Sequence, residues 1–210
     1  MKNGLRLIGP TLMIFIGLQV LGNVVITFLL FYGWLIAVPL IDGSFPKERW
    51  KITNQAIALG LGSGILFFIF IFGGLKWLHI YLLDIEALRI LLLEWGFSGP
   101  GEIGLVFVLL ILNPVLEELY WRGYMYEKLR SNGTAGYAIL MSASFYTLYH
   151  IISVLHLFEI GYSFVAVIPV FAAGLFWGMI REKTGSISAA IISHLLSDLG
   201  IICVYWFIVR

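Results

Sequence analysis

Charge is scarce in this chain. Only 12% of its 210 residues are Asp, Glu, Lys or Arg, and 60% are hydrophobic, whereas a soluble domain carries roughly 25% charged residues. One packed core cannot bury that much apolar surface. The composition therefore excludes an ordinary soluble domain and, with a mean hydropathy of +0.98, points to an all-α polytopic membrane bundle. A formal net charge of +1 removes the electrostatic basis for nucleic-acid binding. The single cysteine, Cys203, rules out an intramolecular disulfide and says nothing of compartment. A cleaved leader is not expected either. The apolar run after Lys2 and Arg6 continues to about Leu40, far beyond the ~7–15 residues of a signal-peptide core, and no A-x-A site closes it.

What the chain does have is long apolar runs. Taking ~20 residues per crossing, the sequence reads as about six spans: one within Leu7–Ile41, then Gln55–Leu83, Ile103–Leu129, Ala135–Leu157, Tyr162–Arg181 and Ile187–Val209. Polar, turn-rich stretches separate them, among them DGSFPKERWKITN, SNGTAG and REKTGS. The segment Asp84–Gly101 alternates charged and apolar residues at helical spacing and reads as one amphipathic interfacial helix. On this division residues 1–101 supply N-terminal helices and the interfacial segment, and residues 102–210 a four-helix core. Lys and Arg are counted over the loops to orient the chain. Loops one, three and five hold Lys47, Arg49, Lys51, Lys128, Arg130, Arg181 and Lys183, against Lys2, Arg6, Arg89 and Arg210 on the other side. This predicts that those loops are cytoplasmic and that both termini are outside. In the second span, Gly60 and Gly64 fit close helix packing better than a phosphate loop.

A few ionisable residues interrupt the spans far from their ends: Glu117, Glu118 and Arg122 in the third, His150 in the fourth, His194 and Asp198 in the sixth. A charge at the bilayer centre costs about 2.5–3.5 kcal/mol on the insertion scale, so such residues are expected to pair or to line a cavity. Glu118 and Arg122 are i,i+4 and share a face. Glu117 points about 100° away and must look to other helices. Asn113 shares its face, and Pro114 is expected to kink the helix just before the glutamates. His194 and Asp198 are i,i+4, as are Tyr146 and His150. At 1.5 Å per residue from the cytoplasmic ends, Glu117 and His150 lie about 20 Å deep, and His194 and Asp198 roughly 10–17 Å deep. One cavity opening to the cytoplasm can then hold all four.

A desolvated carboxylate beside a histidine can activate water for attack on an amide, and a histidine N–H can stabilise the oxyanion. Glu117 and His150 take the first role and His194 the second. The serines Ser142, Ser144, Ser153, Ser193 and Ser197 sit in no G-x-S-x-G setting. Two histidines and a carboxylate are also a zinc set; its ligands would be Glu117, His150 and His194, although no H-E-x-x-H occurs. A third reading is purely structural, in which the charges only hold helices together.

EELYWR (Glu117–Arg122), FYTLYH (Phe145–His150) and HLLSD (His194–Asp198) occur in that order, each on its own span. They resemble the EExxxR, FxxxH and HxxxN/D motifs of the CPBP family, the CAAX-protease and bacteriocin-processing (Abi) proteins that include Rce1-like endopeptidases. Tyr146 stands in the aromatic position of the second motif. The resemblance implies a prokaryotic integral-membrane endopeptidase cleaving a peptide or a prenylated CAAX-type protein within the lipid bilayer. By the same resemblance Glu117 and His150 activate water, His194 and Asp198 line the oxyanion site, and Glu118 and Arg122 support them; no cofactor is favoured, with zinc the alternative. The alternative of the same fold is a non-catalytic bacteriocin-immunity or scaffold protein.

Overall fold

The computed structural model describes residues 3–45 and 50–210. Among them the chain is helical, with no strand. Seven helices are long and apolar enough to cross a membrane: α1 (Asn3–Val20), α2 (Val24–Ile41), α3 (Asn54–Leu82), α5 (Gly99–Arg130), α6 (Ala135–Leu157), α7 (Ile160–Thr184) and α8 (Ser188–Val209). Between α3 and α5 lies the short α4 (Ile85–Glu94). The protein is an integral membrane helical bundle. Side chains close the first turns of several helices: Asn23, Thr53, Asp84 and Thr134 each accept from the backbone N–H three residues on, at 3.0–3.2 Å.

The run Leu7–Ile41 departs from the single span expected of it. It is a hairpin of two helices. Gly22 adopts φ +60°, open to glycine without strain, and Asn23 caps the start of α2. The hairpin returns the end of α2 to the start of α1, where Arg6 pairs with Asp42 at 2.6 Å. The expectation that both termini lie on one face is thus corrected: seven crossings put them on opposite faces. The interfacial segment also divides. α4 ends at Trp95, Gly96 turns at φ +90°, and Gly99 and Pro100 already belong to α5. α4 leaves Ile90 and Leu93 exposed while burying Leu88, so it keeps an apolar surface toward both the bundle and its surroundings.

Two faces of the bundle can now be told apart. The face at the ends of α2, α5 and α7 and the starts of α1, α3, α6 and α8 is tied by ion pairs of Asp42 with Arg6 and Lys128 and of Arg181 with Glu127, and by the Tyr124 hydroxyl donating to Asp42. The opposite face is tied by Gln19 to His156 (3.3 Å), by Glu159 N–H to the Leu82 carbonyl (3.2 Å) and by Arg89 to the Val209 carbonyl (2.9 Å).

α3 and α8 pack closely, as the glycines foretold. A Cβ on Gly64 would stand 2.6 Å from Leu196 Cδ1 and 3.0 Å from Ser193 Cα, and one on Gly60 would stand 2.9 Å from the Ala189 carbonyl. Van der Waals contact, not a shared apolar solvent, holds helices together in lipid, so near-contact of backbones is what makes this pair stable. Ser63 also donates to Ser193 Oγ at 3.0 Å across the seam.

Candidate active site

α5 carries two wide, π-type turns, Val108–Leu112 and Leu119–Met125, on either side of the segment Asn113–Glu118. Such turns rotate the side chains beyond them out of α-helical register. Pro114 sits in the first turn after one of them, where its missing N–H costs least. Glu117, Glu118 and Arg122 are all buried, at 2%, 0% and 0% exposure.

The expected pair of Glu118 and Arg122 forms at 2.8 Å. Arg122 also donates to the Gly174 carbonyl at 3.1 Å and lies over the rings of Tyr146 (4.5 Å) and Trp177 (5.2 Å). Glu118 does more than neutralise Arg122. Its Oε1 also lies 3.0 Å from His194 Nδ1, so it fixes the tautomer and tilt of that ring. Trp177 stacks on the other side of His194, 4.3 Å between centroids and 20° between planes.

His194 Nε2 is then turned toward two further carboxylates, 3.5 Å from Asp198 Oδ1 and 3.9 Å from Glu117 Oε2. Asp198 in turn lies 3.3 Å from Asn113 Nδ2, and Tyr32 of α2 donates to Asn113 Oδ1 at 3.1 Å. An ionised Asp198 can only accept, which sets the Asn113 amide with its nitrogen toward Asp198 and its oxygen toward the Tyr32 hydroxyl. Glu117, Glu118, Arg122, His194, Asp198 and Asn113 therefore come together as one network.

His150 joins it across a cavity rather than by a bond. Its Nδ1 meets the Tyr146 carbonyl at 2.8 Å, so Nδ1 carries the proton and Nε2 keeps its lone pair. Its ring is held between Tyr146 (4.5 Å) and Tyr149 (4.4 Å). The cavity, of about 310 Å³, is bordered by Asn113, Glu117, Tyr149, His150 and Asp198 at its inner end and by mostly apolar side chains elsewhere. Two buried polar atoms of residues that border it, Glu117 Oε2 and Tyr149 OH, make no hydrogen bond of ordinary geometry, although the two side chains lie close enough to act on each other. A buried polar atom is costly until water or substrate supplies its partner.

The cavity does not lie where the charge count placed it. Its wall is built from the halves of the helices near the face opposite the ion pairs: Leu18, Val24, Leu75, Leu157 and Val209, with Leu88 and Leu92 of α4. Toward the other face α5 is plugged, since Tyr120, Trp121, Tyr124, Met125 and Tyr126 are all 2% exposed or less. The expected opening toward loops one, three and five is corrected accordingly. Depth alone, measured along single helices, could not reveal which half of the bundle is filled with aromatic rings.

Sequence reasoning missed Tyr32, Tyr149 and Trp177. Each is an aromatic in an apolar helix, indistinguishable by pattern from a packing residue. Among the described residues no group of three or more His, Cys, Asp and Glu side chains has the arrangement of a metal site.

Comparison with curated proteins found no match, nor did comparison with solved structures. Residues 99–200, from the start of α5 to Gly200 in α8, match the family described as type II CAAX prenyl endopeptidase Rce1-like, and that stretch holds Glu117, His150, His194 and Asp198.

Proposed function

We propose that this chain is an intramembrane endopeptidase in which Glu117 and His150 activate a water molecule for attack on a peptide carbonyl. The observation that carries the reading is Glu117 itself: a buried carboxylate that borders the apolar cavity and has an oxygen without a hydrogen bond, beside Glu118, whose Oε1 is held by both Arg122 and His194. Water oxygen adds to the carbonyl carbon, its proton passing to Glu117 or to the free Nε2 of His150. The tetrahedral intermediate then collapses, the C–N bond breaks, and the same proton is returned to the leaving amine.

The oxyanion needs an N–H donor at the cavity wall. His194 Nδ1 already gives its proton to Glu118, so donation from Nε2 requires the imidazolium form. Asn113 offers a neutral donor in the same wall, because only one of its two amide protons is directed at Asp198. Asp198, at 3.5 Å from His194, serves as an orienting group in this scheme. Glu118, Arg122 and Tyr146 hold the ring positions, and the substrate is a peptide or prenylated CAAX-type protein within the bilayer.

The test is purified protein in detergent against a panel of prenylated and unprenylated quenched-fluorescent peptides, with products identified by mass. Glu117→Gln changes one atom and should abolish cleavage while the melting temperature holds. Undiminished cleavage by Glu117→Gln overturns the reading; retained biological function in the variant without any cleavage favours a scaffold or immunity protein instead.

A further inference from the structure

We propose that Tyr149 is a further catalytic residue, whose hydroxyl donates to the oxygen of the water that Glu117 and His150 activate. The water it serves, and so its role, rests on the endopeptidase reading above.

A phenol is a neutral donor, and burying it without an acceptor is costly. Four buried tyrosines of this bundle find their acceptors inside the protein. Tyr32 donates to Asn113 Oδ1, Tyr120 to the Arg6 carbonyl, Tyr124 to Asp42 and Tyr126 to Glu182. Tyr149 is only 3% exposed, yet its hydroxyl makes no bond of ordinary geometry. Of these five it alone borders the cavity. Packing does not account for the hydroxyl, because a phenylalanine would fill the same space without desolvating an O–H.

The ring is held where it stands. Phe31, Tyr146 and His150 lie 5.0, 5.7 and 4.4 Å from it between centroids, and Trp121 stacks on it at 6.2 Å and 18°. Four rings from α2, α5 and α6 thus fix the phenol, and only its O–H bond is left to turn. It stands at the inner end of the cavity within reach of Glu117, whose Oε2 is likewise without a bond of ordinary geometry.

The groups at that end match the valences of one water molecule. An ionised Glu117 and the Nε2 of His150 accept, and Tyr149 donates. Water has two protons and two lone pairs. Its protons go to Glu117 and His150, one lone pair accepts from Tyr149, and the other is left for the substrate carbonyl carbon. In the attack one O–H bond of the water breaks, its proton passes to Glu117 or His150, and the C–O bond forms. Tyr149 keeps its own proton throughout. Negative charge gathers on the water oxygen as the proton leaves, and a fixed donor stabilises charge where it develops. Tyr149 therefore acts on the attacking oxygen, which leaves Asn113 and His194 for the carbonyl oxygen.

The experiment compares Tyr149→Phe, Tyr32→Phe and Glu117→Gln with the parent, as purified protein in detergent, on the panel of quenched-fluorescent peptides. Tyr149→Phe should lower kcat on the order of 10- to 100-fold and leave KM within about twofold, as loss of a donor used only in the transition state does. Its melting temperature should hold or rise, because the lost hydroxyl has no partner in the resting protein. Tyr32→Phe removes a hydroxyl that is bonded in the folded protein and should melt earlier than the parent. A Tyr149→Phe variant that cleaves as fast as the parent overturns the proposal. So does a loss confined to KM, or a melting temperature that falls as far as that of Tyr32→Phe, since the hydroxyl then serves the fold. No cleavage by the parent, or undiminished cleavage by Glu117→Gln, sinks the endopeptidase reading and the role of Tyr149 with it. Cleavage that needs Glu117 but not the Tyr149 hydroxyl sinks the role of Tyr149 alone.

Discussion

Removing Arg122 should be among the most damaging single changes, and removing its partner as well should relieve part of the damage. The guanidinium is fully buried, bonded to Glu118 at 2.8 Å and to the Gly174 carbonyl at 3.1 Å, and stacked on two rings. Arg122→Met leaves Glu118 with one proton donor, His194, and without its guanidinium counter-charge in a lipid-shielded core. Breaking a buried pair from one side costs about 3–5 kcal/mol. Glu118→Gln is the complementary single change. It keeps an oxygen that can accept from His194 Nδ1, so its cost is that of a lone buried guanidinium, again about 3–5 kcal/mol. The double variant removes both charges and strands neither, and should be milder than the sum of the singles by about 2 kcal/mol or more, within the range measured for groups in direct contact. Reversible unfolding in mixed detergent, followed by tryptophan fluorescence, gives all four corners of the cycle. If the two single losses add to the double loss within about 0.5 kcal/mol, the two charges do not stabilise the bundle as a pair and the reasoning fails.

Other consequences are simpler to state. Gly64→Val should lower stability by about 1–3 kcal/mol through overpacking, because its Cβ meets Leu196 and the Ser193 backbone; Gly62→Ala, with nothing within 4 Å, should be neutral or slightly stabilising, and equal melting temperatures for the two would contradict the seam. Asp42 carries the pH dependence of the ion-paired face. The Tyr124 hydroxyl first, and Arg6 second, hold its carboxyl below the usual range. A depressed folded value means the contribution is complete above the unfolded value of about 3.9 and is lost as pH falls through the folded one. The melting-temperature gap between the parent and Asp42→Asn should therefore be present at pH 7 and close in strong acid; a gap that instead closes with rising pH refutes the assignment.

The parts of this molecule legible in the sequence were those where the membrane makes one residue type expensive. Glu117, Glu118, Arg122, His150, His194 and Asp198 stand out because lipid tolerates few such side chains, and their i,i+4 spacings reported true faces of α5 and α8. The α6 limits, Ala135–Leu157, were readable for the same reason, since polar turns bound them. Leu7–Ile41 was not, because its turn is made by Gly22 and Asn23 alone, within a run that hydropathy averages into one crossing; Gly-Asn is in retrospect the only local signal. Tyr32 was illegible for another reason. It meets Asn113 81 positions away, and an aromatic's partner is decided by which helices come to lie side by side, not by the pattern of its own.

That long-range contact bears on why the site needs the whole bundle. From Tyr32 the hydrogen bonds and close polar contacts run through Asn113, Asp198, His194, Glu118 and Arg122 to the Gly174 carbonyl, touching α2, α5, α8 and α7 in turn. Each member except the ends contacts a neighbour on either side, so a shift of one helix disturbs contacts on two others. Such a chain positions its side chains well only while every link is made, and partly satisfied it is worse than an apolar core. The close seam of Gly60 and Gly64 with α8 and the aromatic plug around α5 hold those helices in register. The one carboxylate oxygen at the cavity wall that the chain leaves unpartnered belongs to Glu117. The restraint on Glu118 and the freedom of Glu117, adjacent in sequence, are therefore one arrangement: the first glutamate is free to face the cavity because the second is held by the rest of the bundle.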